Sequence, residues 1–283
     1  AASRFLAANP EVGAMELLLP DLNGILRGKR VPARDLPGLW RSGLALPATA
    51  CILDSRGALI ETLHQGFRDG DPDLPCRPVP GSLVPVPWSA SPLAQCLLQL
   101  QQPGGPPRAT DTRQVLACVL ARYAADGLVP VVAVEFEFYL LADAVARPPR
   151  GWQVGVPGTA RPAVGPRVYA LEELHPLDGL FADIESACRA QGLPAGGIVA
   201  EYGAGQFEVN LQHVPDALQA CDHAVLLRRL VRGVAARHGL AATFMAKPFA
   251  DRDGSGMHVH VSLLDRAGRN VFAPGPDGAP SAQ

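Results

Sequence analysis

Residues 251–263 read DRDGSGMHVHVSL, and polar and apolar residues alternate strictly in the second half. Successive side chains of a strand point to opposite faces, so the pattern predicts a strand with His258, His260 and Ser262 on one face. The loop Gly254-Ser255-Gly256 before it allows a ligand to approach the backbone closely. Two interpretations remain at this point: a strand that holds a metal or a phosphate, or a solvent-facing strand after a glycine turn. On the opposite face we expect a buried apolar set, Met257, Val259, Val261 and Leu263.

The composition is that of a globular protein without affinity for nucleic acid. The chain has 283 residues, 48% of them hydrophobic and 18% charged, and its formal net charge is −2. This length accommodates two domains, each with a core. A nucleic-acid-binding protein needs concentrated positive charge to displace counterions from phosphates, whereas the basic residues here are scattered. We therefore expect small molecules rather than nucleic acid as partners.

The cysteines and the hydropathy pattern indicate a cytoplasmic protein that does not enter a membrane. The six cysteines form no CxxC pair and no regular spacing, which favours reduced thiols over a disulfide framework. No apolar stretch approaches the roughly 18 residues of a membrane span. The first twelve residues also lack the basic start and apolar run of a signal peptide.

The first third of the sequence predicts a small β-rich domain. Asn23-Gly24 between two apolar runs predicts a β-hairpin, because this dipeptide tolerates the positive φ of hairpin turns. Residues 66–92 are dense in proline and predict an ordered extended loop. The proline-rich and glycine-rich segment 102–109 predicts a linker, which places the domains at 1–107 and 108–283. The predicted strands are 15–19, 25–31, 50–53, 59–62 and 94–101.

The remainder of the sequence alternates strands with helices. The helices are predicted from the helical spacing of apolar residues, from a capping residue at 111 or 112, and from glycines at 127 and 239. Such alternation predicts a sheet with helices on one face. A proline-rich segment at 147–165 predicts a surface excursion. The predicted helices are 112–125, 177–191 and 215–238, and the predicted strands before the histidine strand are 131–141, 197–201, 206–213 and 242–247.

Two segments of this predicted sheet carry acidic residues on polar faces. In VVAVEFEFYLL the residues Glu135 and Glu137 are two apart and project from one face of a very hydrophobic strand. Like charges this close raise each other's pKa unless a cation lies between them. For this motif alone an ordinary solvated face is the favoured interpretation. In AEYGAGQFEVNL, Glu201 and Glu208 add two further carboxylates.

Four carboxylates and one imidazole on polar faces predict a site for Mg²⁺ or Mn²⁺. Oxygen ligands with a single imidazole suit these cations, whereas Zn²⁺ favours more histidine or cysteine.

Lys247, just before the glycine loop, is either a phosphate contact or a charge at the end of a strand, and the second interpretation is favoured.

Three motifs in order, EFEFYL, EYGAGQFEVN and FMAKPFADRDGSGMHVHVSL, resemble the signature segments of the glutamine synthetase superfamily. The resemblance extends through PDLNGILRGKRVP and VPGSLVPVPW to essentially the whole chain. It implies an α+β protein, with an N-terminal β-grasp domain followed by an α/β catalytic domain. It also implies a ring-type homo-oligomer, dodecamer-like when full length. Members of the superfamily continue past Gln283, so the resemblance implies a catalytic domain that is incomplete at its C-terminus.

The resemblance also assigns roles by position. Glu137, Glu201 and Glu208 would hold one metal ion, and Glu135 and His258 a second. Glu208 and His258 would be the catalytic residues. His260 and Ser262 would bind ATP, and Gly254 with Asp253 would bind the substrate glutamate.

The implied reaction is ATP-dependent ligation of the glutamate γ-carboxylate to an amine through γ-glutamyl phosphate. Ammonia-using members typically carry Asn before the glycine loop, whereas this chain has Asp253. The pattern is therefore closer to members that glutamylate putrescine or another polyamine or monoamine. The ammonium-site aspartate has only Asp54 as a loose candidate. The alternatives are a glutamine synthetase that uses ammonia, and a catalytically incomplete scaffold.

Overall fold

The computed structural model describes residues 1–60, 66, 68–101, 108–143, 150–152, 168–275 and 278. The chain forms two compact units, Ala1–Gly127 and Leu128–Gln283. Most of the predicted linker and of the predicted surface excursion lies outside the described residues, and the domain limits at 107 and 108 stay a prediction. Among the described helices, none combines the length and the apolar character needed to cross a bilayer.

The first unit is built on a mixed sheet. In its described residues the strands follow the order β2-β1-β6-β4-β3, and β5 pairs with β6. Strands β1 and β6 are parallel, and the other neighbours are antiparallel. Residues of α1, α2 and these strands form one apolar core. The elements are α1 (Ala2–Ala8), β1 (Ala14–Pro20), β2 (Leu26–Pro32), α2 (Leu36–Ser42), β3 (Leu44–Pro47), β4 (Asp73–Pro78), β5 (Val84–Pro85), β6 (Leu93–Leu100) and α3 (Thr112–Ala125).

The predicted hairpin is confirmed as β1 and β2, and a buried aspartate holds its turn. The Asp21 carboxylate accepts hydrogen bonds from the backbone N–H groups of Asn23 and Ile25, each at 2.8 Å. It also accepts one from Arg27 Nε at 3.0 Å. Aspartate favours such turns because its short side chain can bond the backbone two residues on. The ion pair to Arg27 compensates the burial of the Asp21 charge.

Gly28→Ala should strongly destabilise the first unit. Gly28 has φ +151°, and a Cβ there would lie 1.7 Å from the Leu17 carbonyl oxygen. We expect the free energy of unfolding in urea to fall by about 3 kcal/mol, the upper range for one strained backbone position. Gly38→Ala in α2 is the matched control, because a Cβ there meets nothing within 4 Å. Equal stabilities of the two variants would contradict this account of the hairpin.

Two predictions for the first unit are wrong. Residues Ala48–Cys51 form a 3-10 turn, and the predicted strands 50–53 and 59–62 are reduced to an isolated bridge between Leu53 and Leu59. Residues 61 and 62 lie outside the described part. The proline-rich segment contains β4, which pairs with strands on both sides. Proline removes a backbone donor but keeps its acceptor, and the Pro75 carbonyl accepts from Gln101 N–H at 2.8 Å.

The second unit is an antiparallel sheet centred on one long strand. In the described residues the order is β11-β7-β10-β9, and β12 and β8 also pair with β7. The five predicted strands and both predicted helices are present, although the predicted strand 242–247 already ends at residue 243. The elements are β7 (Val129–Asp143), β8 (Arg150–Gly151), α4 (Asp178–Gln191), β9 (Ala195–Ala200), β10 (Gln206–Leu211), α5 (Ala217–Arg237), β11 (Ala241–Thr243) and β12 (Met257–Leu264).

The helices of this unit pack on the apolar face of the sheet, as predicted. Phe207 of β10 lies edge-on to Phe181 of α4 with ring centroids 5.2 Å apart, and it also contacts Phe138 of β7 at 6.3 Å. The Arg232 guanidinium of α5 lies 5.8 Å from the centre of the Phe244 ring. Since side chains alternate along a strand, the residues between these aromatics project from the opposite face.

The expected burial of the apolar face of β12 is wrong. Met257, Val259 and Val261 are 61%, 50% and 51% exposed. Helix α5 packs along β7 and β11, whereas β12 pairs with a different stretch of β7, residues 129–136. Alternation in the sequence sorts side chains onto two faces, but it does not determine which face another element covers.

Candidate active site

The strand register brings the acidic residues together on the polar face. Glu208 of β10 lies opposite Glu137 of β7, and Asn210 lies opposite Glu135. On the other side of β7, His258 of β12 also lies opposite Glu135. Directly opposed residues of antiparallel strands project to the same face with their Cβ atoms about 5 Å apart. The polar residues predicted on separate strands therefore converge.

These residues line a cavity of about 440 Å³ in the second unit. Four glutamates, one aspartate and one histidine face it, together with two tyrosines, a glutamine and the first glycine of the glycine loop. The lining residues are Glu135, Glu137, Tyr169, Glu201, Tyr202, Gln206, Glu208, Asp253, Gly254 and His258.

The tightest cluster in the cavity is Glu135, Glu208 and His258. One ligand atom from each lies within 4.8 Å of the others. His258 Nδ1 is 3.4 Å from Glu135 Oε2 and 3.8 Å from Glu208 Oε2. Carboxylate oxygens with a single imidazole match the preference of hard divalent cations. The donor set therefore fits such a cation, and the nearby Glu137 and Glu201 supply further oxygen atoms.

The two residues assigned to ATP lie outside this lining. His260 Nε2 is 3.0 Å from Glu135 Oε2, and its ring centroid is 6.1 Å from that of His213. Ser262 lies two residues farther along β12, opposite Val131. The structure therefore brings the five proposed metal ligands, Asp253 and Gly254 to one cavity, and places His260 at its margin and Ser262 farther away.

The charges in the cavity perturb one another. Burial raises the pKa of Glu208, and the neighbouring carboxylates of Glu135, Glu201 and Glu137 raise it further. Burial and the Glu137 charge also raise the pKa of Glu201. In contrast, a hydrogen bond to His260 lowers the pKa of Glu135. Mutual repulsion of this kind is relieved either by a proton or by a bound cation.

The raised pKa of Glu208 predicts a pH-dependent stability difference. Between the usual glutamate pKa and the raised one, the folded state binds more protons than the unfolded state, so this group lowers stability as pH rises through its folded pKa. In EDTA, Glu208→Gln should therefore be more stable than the wild type at about pH 7, and the difference should vanish near pH 4. Urea denaturation of both proteins across this range measures the difference. A stability difference between the two proteins that stays constant with pH would contradict the raised pKa of Glu208.

A hydrogen-bond network supports the glycine loop behind the cavity. Gln206 Nε2 donates to Glu137 Oε2 at 2.8 Å and to the Gly254 carbonyl oxygen at 2.9 Å. The Tyr139 hydroxyl donates to the Asp253 carbonyl oxygen at 2.8 Å. Lys247 Nζ donates to the Arg252 carbonyl oxygen. This lysine therefore ties the loop to the preceding segment rather than marking the end of a strand.

Sequence reasoning gave no role to Gln206, Tyr139, Tyr169 or Tyr202. The signal for Gln206 was available, because it shares the polar face of β10 with Glu208, and Tyr139 likewise continues the face of Glu135 and Glu137. For Tyr169 no strand pattern exists. Its backbone has φ +60°, and its N–H donates to the Ala200 carbonyl oxygen at 2.9 Å. Only the folded chain shows that this tyrosine faces the cavity.

Gly256→Ala should weaken metal binding while the fold is retained. A Cβ at this position would lie 2.8 Å from Glu137 Oε1 and 3.1 Å from His258 Nε2, so two proposed ligands would have to move. We expect a loss of about tenfold to a hundredfold in Mn²⁺ affinity, measured by calorimetry, as for other displaced ligand supports. Gly197→Ala in β9 is the control, since nothing lies within 4 Å of a Cβ there. Wild-type affinity in Gly256→Ala would exclude Glu137 and His258 as ligands.

Comparison with known proteins agrees with this fold. A profile of the glutamine synthetase catalytic domain matches residues 109–282. Gamma-glutamylputrescine synthetase PuuA of Escherichia coli K12 is 39% identical over 275 residues, 95% of this chain and 57% of that protein. A glutamate–isopropylamine ligase of a Pseudomonas species is 32% identical over 262 residues, 89% of this chain and 54% of that protein. A solved structure described as the GmaS/ADP complex superposes with a TM-score of 0.79 at 30% identity, covering 98% of this chain and 59% of that one.

The sheet and the carboxylate-lined cavity together define a catalytic domain of mixed α and β content, of the glutamine synthetase type. The chain belongs to the glutamine synthetase family, as its motifs predicted. Ligases of this family use ATP and divalent metal ions. The chain spans somewhat more than half the length of the relatives described above.

Proposed function

We propose that the protein catalyses ATP-dependent ligation of the γ-carboxylate of glutamate to an amine such as putrescine or another polyamine or monoamine. The observation that carries the proposal is the convergence of Glu135, Glu208 and His258 in one cavity beside the glycine loop. Two relatives support an amine as the acceptor, because their names specify putrescine and isopropylamine.

The metal ligands in this proposal are five of the residues that line the cavity. Glu137, Glu201 and Glu208 hold one Mg²⁺ or Mn²⁺, and Glu135 and His258 belong to a second. Bound divalent cations supply charge neutralisation for the ATP phosphates. The raised pKa values of Glu201 and Glu208 support this assignment, because four carboxylates in a half-buried cavity favour a compensating positive charge.

The remaining residues position the substrates. His260 and Ser262 contact ATP, and the backbone of Gly254 with Asp253 orients the glutamate. The γ-carboxylate oxygen attacks the γ-phosphorus of ATP, which forms γ-glutamyl phosphate and releases ADP. The amine nitrogen then attacks the acyl carbon, inorganic phosphate leaves, and the amine loses a proton. Closure of the glycine loop over the substrates would exclude water and protect the acyl phosphate from hydrolysis.

Three further features belong to the same proposal. The first unit is a β-grasp domain, an assignment supported by its mixed sheet with a parallel central pair. The enzyme is a ring-type homo-oligomer, dodecamer-like at full length, and it acts in the cytoplasm. The cytoplasmic assignment is supported by the spacing of the six cysteines, which contains no CxxC pair and does not match a disulfide framework.

The test is phosphate release by the 283-residue chain with glutamate and ATP, using putrescine, spermidine, ethanolamine and ammonium side by side. We expect phosphate release with the preferred amine to be at least about tenfold faster than with ammonium, because a site built for one acceptor discriminates by one or more hydrogen bonds. Equal or faster release with ammonium would identify a glutamine synthetase. No release with any acceptor, combined with Mg²⁺-dependent ATP binding in calorimetry, would identify a catalytically incomplete chain.

A further inference from the structure

We propose that Gln206 is a positioning residue that couples occupancy of the metal site to the order of the glycine loop. The inference rests on the proposed function. It adds that the buried side-chain amide of Gln206 connects the proposed metal site with the glycine loop. Gln206 is 2% exposed and lies on β10 two residues before Glu208. It contacts a proposed metal ligand on one side and the loop on the other.

The hydrogen bonds fix the orientation of the Gln206 amide. Its Oε1 accepts from the Gly203 backbone N–H at 2.9 Å. Its Nε2 carries two hydrogens, and these are directed to Glu137 Oε2 and to the Gly254 carbonyl oxygen at 2.8 and 2.9 Å. The opposite orientation would place Oε1 against a carboxylate and a carbonyl, with no proton between them. The side chain therefore functions as a double donor between two acceptors.

The bond to Glu137 distinguishes this link from ordinary support of a loop. A hydrogen bond to an ionised carboxylate is about twice as strong as one between neutral groups. The bond from Gln206 holds Glu137 Oε2. The other carboxylate oxygen, Oε1, lies toward Gly256 and His258, and a Cβ added to Gly256 would lie 2.8 Å from it. A cation that binds Glu137 fixes the carboxylate plane. Through Nε2 of Gln206 it then also fixes the Gly254 carbonyl group.

Tyr139 provides an internal comparison. It is fully buried, and its hydroxyl donates to the Asp253 carbonyl oxygen, the neighbour of the Gly254 carbonyl. A hydroxyl has a single hydrogen, so this bond supports the loop without a second donor for a carboxylate. Gly203 packs against both side chains, since a Cβ there would lie 1.8 Å from Tyr139 Oη and 2.7 Å from Gln206 Oε1. The two residues thus hold adjacent peptides of one loop, and of these two side chains only Gln206 also donates to the carboxylate of a proposed metal ligand.

The experiment measures loop order with and without metal in the 283-residue chain. Hydrogen exchange reports opening of the loop, because the Ser255 amide is bonded to the Ala246 carbonyl oxygen at 2.8 Å. In the wild type, saturating Mn²⁺ should slow exchange across residues 246–256 by about tenfold, within the usual range of coupling between sites. Mn²⁺ affinity is measured in parallel by calorimetry.

Gln206→Met keeps the volume of the side chain and removes both donors. We expect it to bind Mn²⁺ within about tenfold of the wild type, while metal slows loop exchange less than about twofold. Tyr139→Phe is the matched control, in which the loop exchanges faster in both states but the metal-dependent slowing stays close to tenfold. Gln206→Glu, which keeps the acceptor for Gly203, replaces Gln206→Met in the same measurement if the latter does not fold.

The outcomes separate this inference from the proposed function. Wild-type slowing by metal in Gln206→Met, or the same loss of coupling in Tyr139→Phe and Gln206→Met, would overturn the role of Gln206 and leave the metal site intact. The role is equally overturned if Mn²⁺ binds the wild type without changing loop exchange. Absence of Mn²⁺ binding to the wild type would instead defeat the metal site on which the proposed function depends, and the coupling with it.

Discussion

Glu208→Gln is expected to abolish the thermal stabilisation of the chain by Mn²⁺. Glu208 is 8% exposed and faces Glu135, Glu137 and His258, so its carboxylate is the most enclosed of the proposed ligands. At a metal concentration one hundred times its dissociation constant, binding stabilises the folded state by about 2.7 kcal/mol. For a unit of the size of Leu128–Gln283 that corresponds to a rise of roughly 5–10 °C in melting temperature. The variant should show no rise at the same concentration.

Glu185→Gln is the matched control for this prediction. Glu185 lies on α4, its side chain is 55% exposed, and it pairs with Arg189 at 3.7 Å. Exposed ion pairs contribute at most about 1 kcal/mol. The control should therefore retain the full response to Mn²⁺. If Glu208→Gln responds to the metal as strongly as Glu185→Gln, then Glu208 is not a ligand.

Phe207→Ala is expected to lower the free energy of unfolding of the second unit by about 3–5 kcal/mol, the usual cost of deleting a buried phenylalanine. Phe207 is 1% exposed and contacts the rings of Phe138, Trp152 and Phe181. Its removal leaves a cavity exactly where the sheet meets α4. Urea denaturation followed by tryptophan fluorescence measures the loss.

Phe272→Ala supplies the comparison for the same substitution at an exposed position. Phe272 is 45% exposed, and changes at such sites usually alter stability by no more than about 0.5 kcal/mol. Comparable losses in the two variants would mean that the aromatic cluster around Phe207 does not hold α4 on the sheet.

The sequence was sufficient to predict the sheet of the second unit and most residues of the cavity. Alternation in β7 and β10 places Glu135, Glu137 and Glu208 on one face, and the apolar residues between them pack against helices. The same rule failed for the apolar face of β12. Burial of that face depends on which elements pack against it, and alternation within the strand does not determine this. Proline content also misled the prediction for β4, since the backbone acceptors of proline remain available to a sheet.

The support of the loop could not be predicted, because it depends on side chains that meet across long stretches of chain. Tyr139 and the Asp253 carbonyl are separated by 114 residues, and Gln206 and the Gly254 carbonyl by 48. Neither bond leaves a local pattern in the sequence. The polar face of a strand identifies candidates, whereas the partner of each candidate is set by tertiary structure.

The central position of β7 also bears on how the second unit folds. Strands β8, β10, β11 and β12 all pair with it, and the bond between Asn210 and Glu135 joins residues 75 positions apart. Contacts of such long range slow folding, because a large loop must close before any of them forms. The cluster of carboxylates and imidazole is complete only when β12 has paired with β7, because His258 lies on β12. A chain that lacked β12 would keep the carboxylates of β7 and β10 but would lose the imidazole of the three-residue cluster.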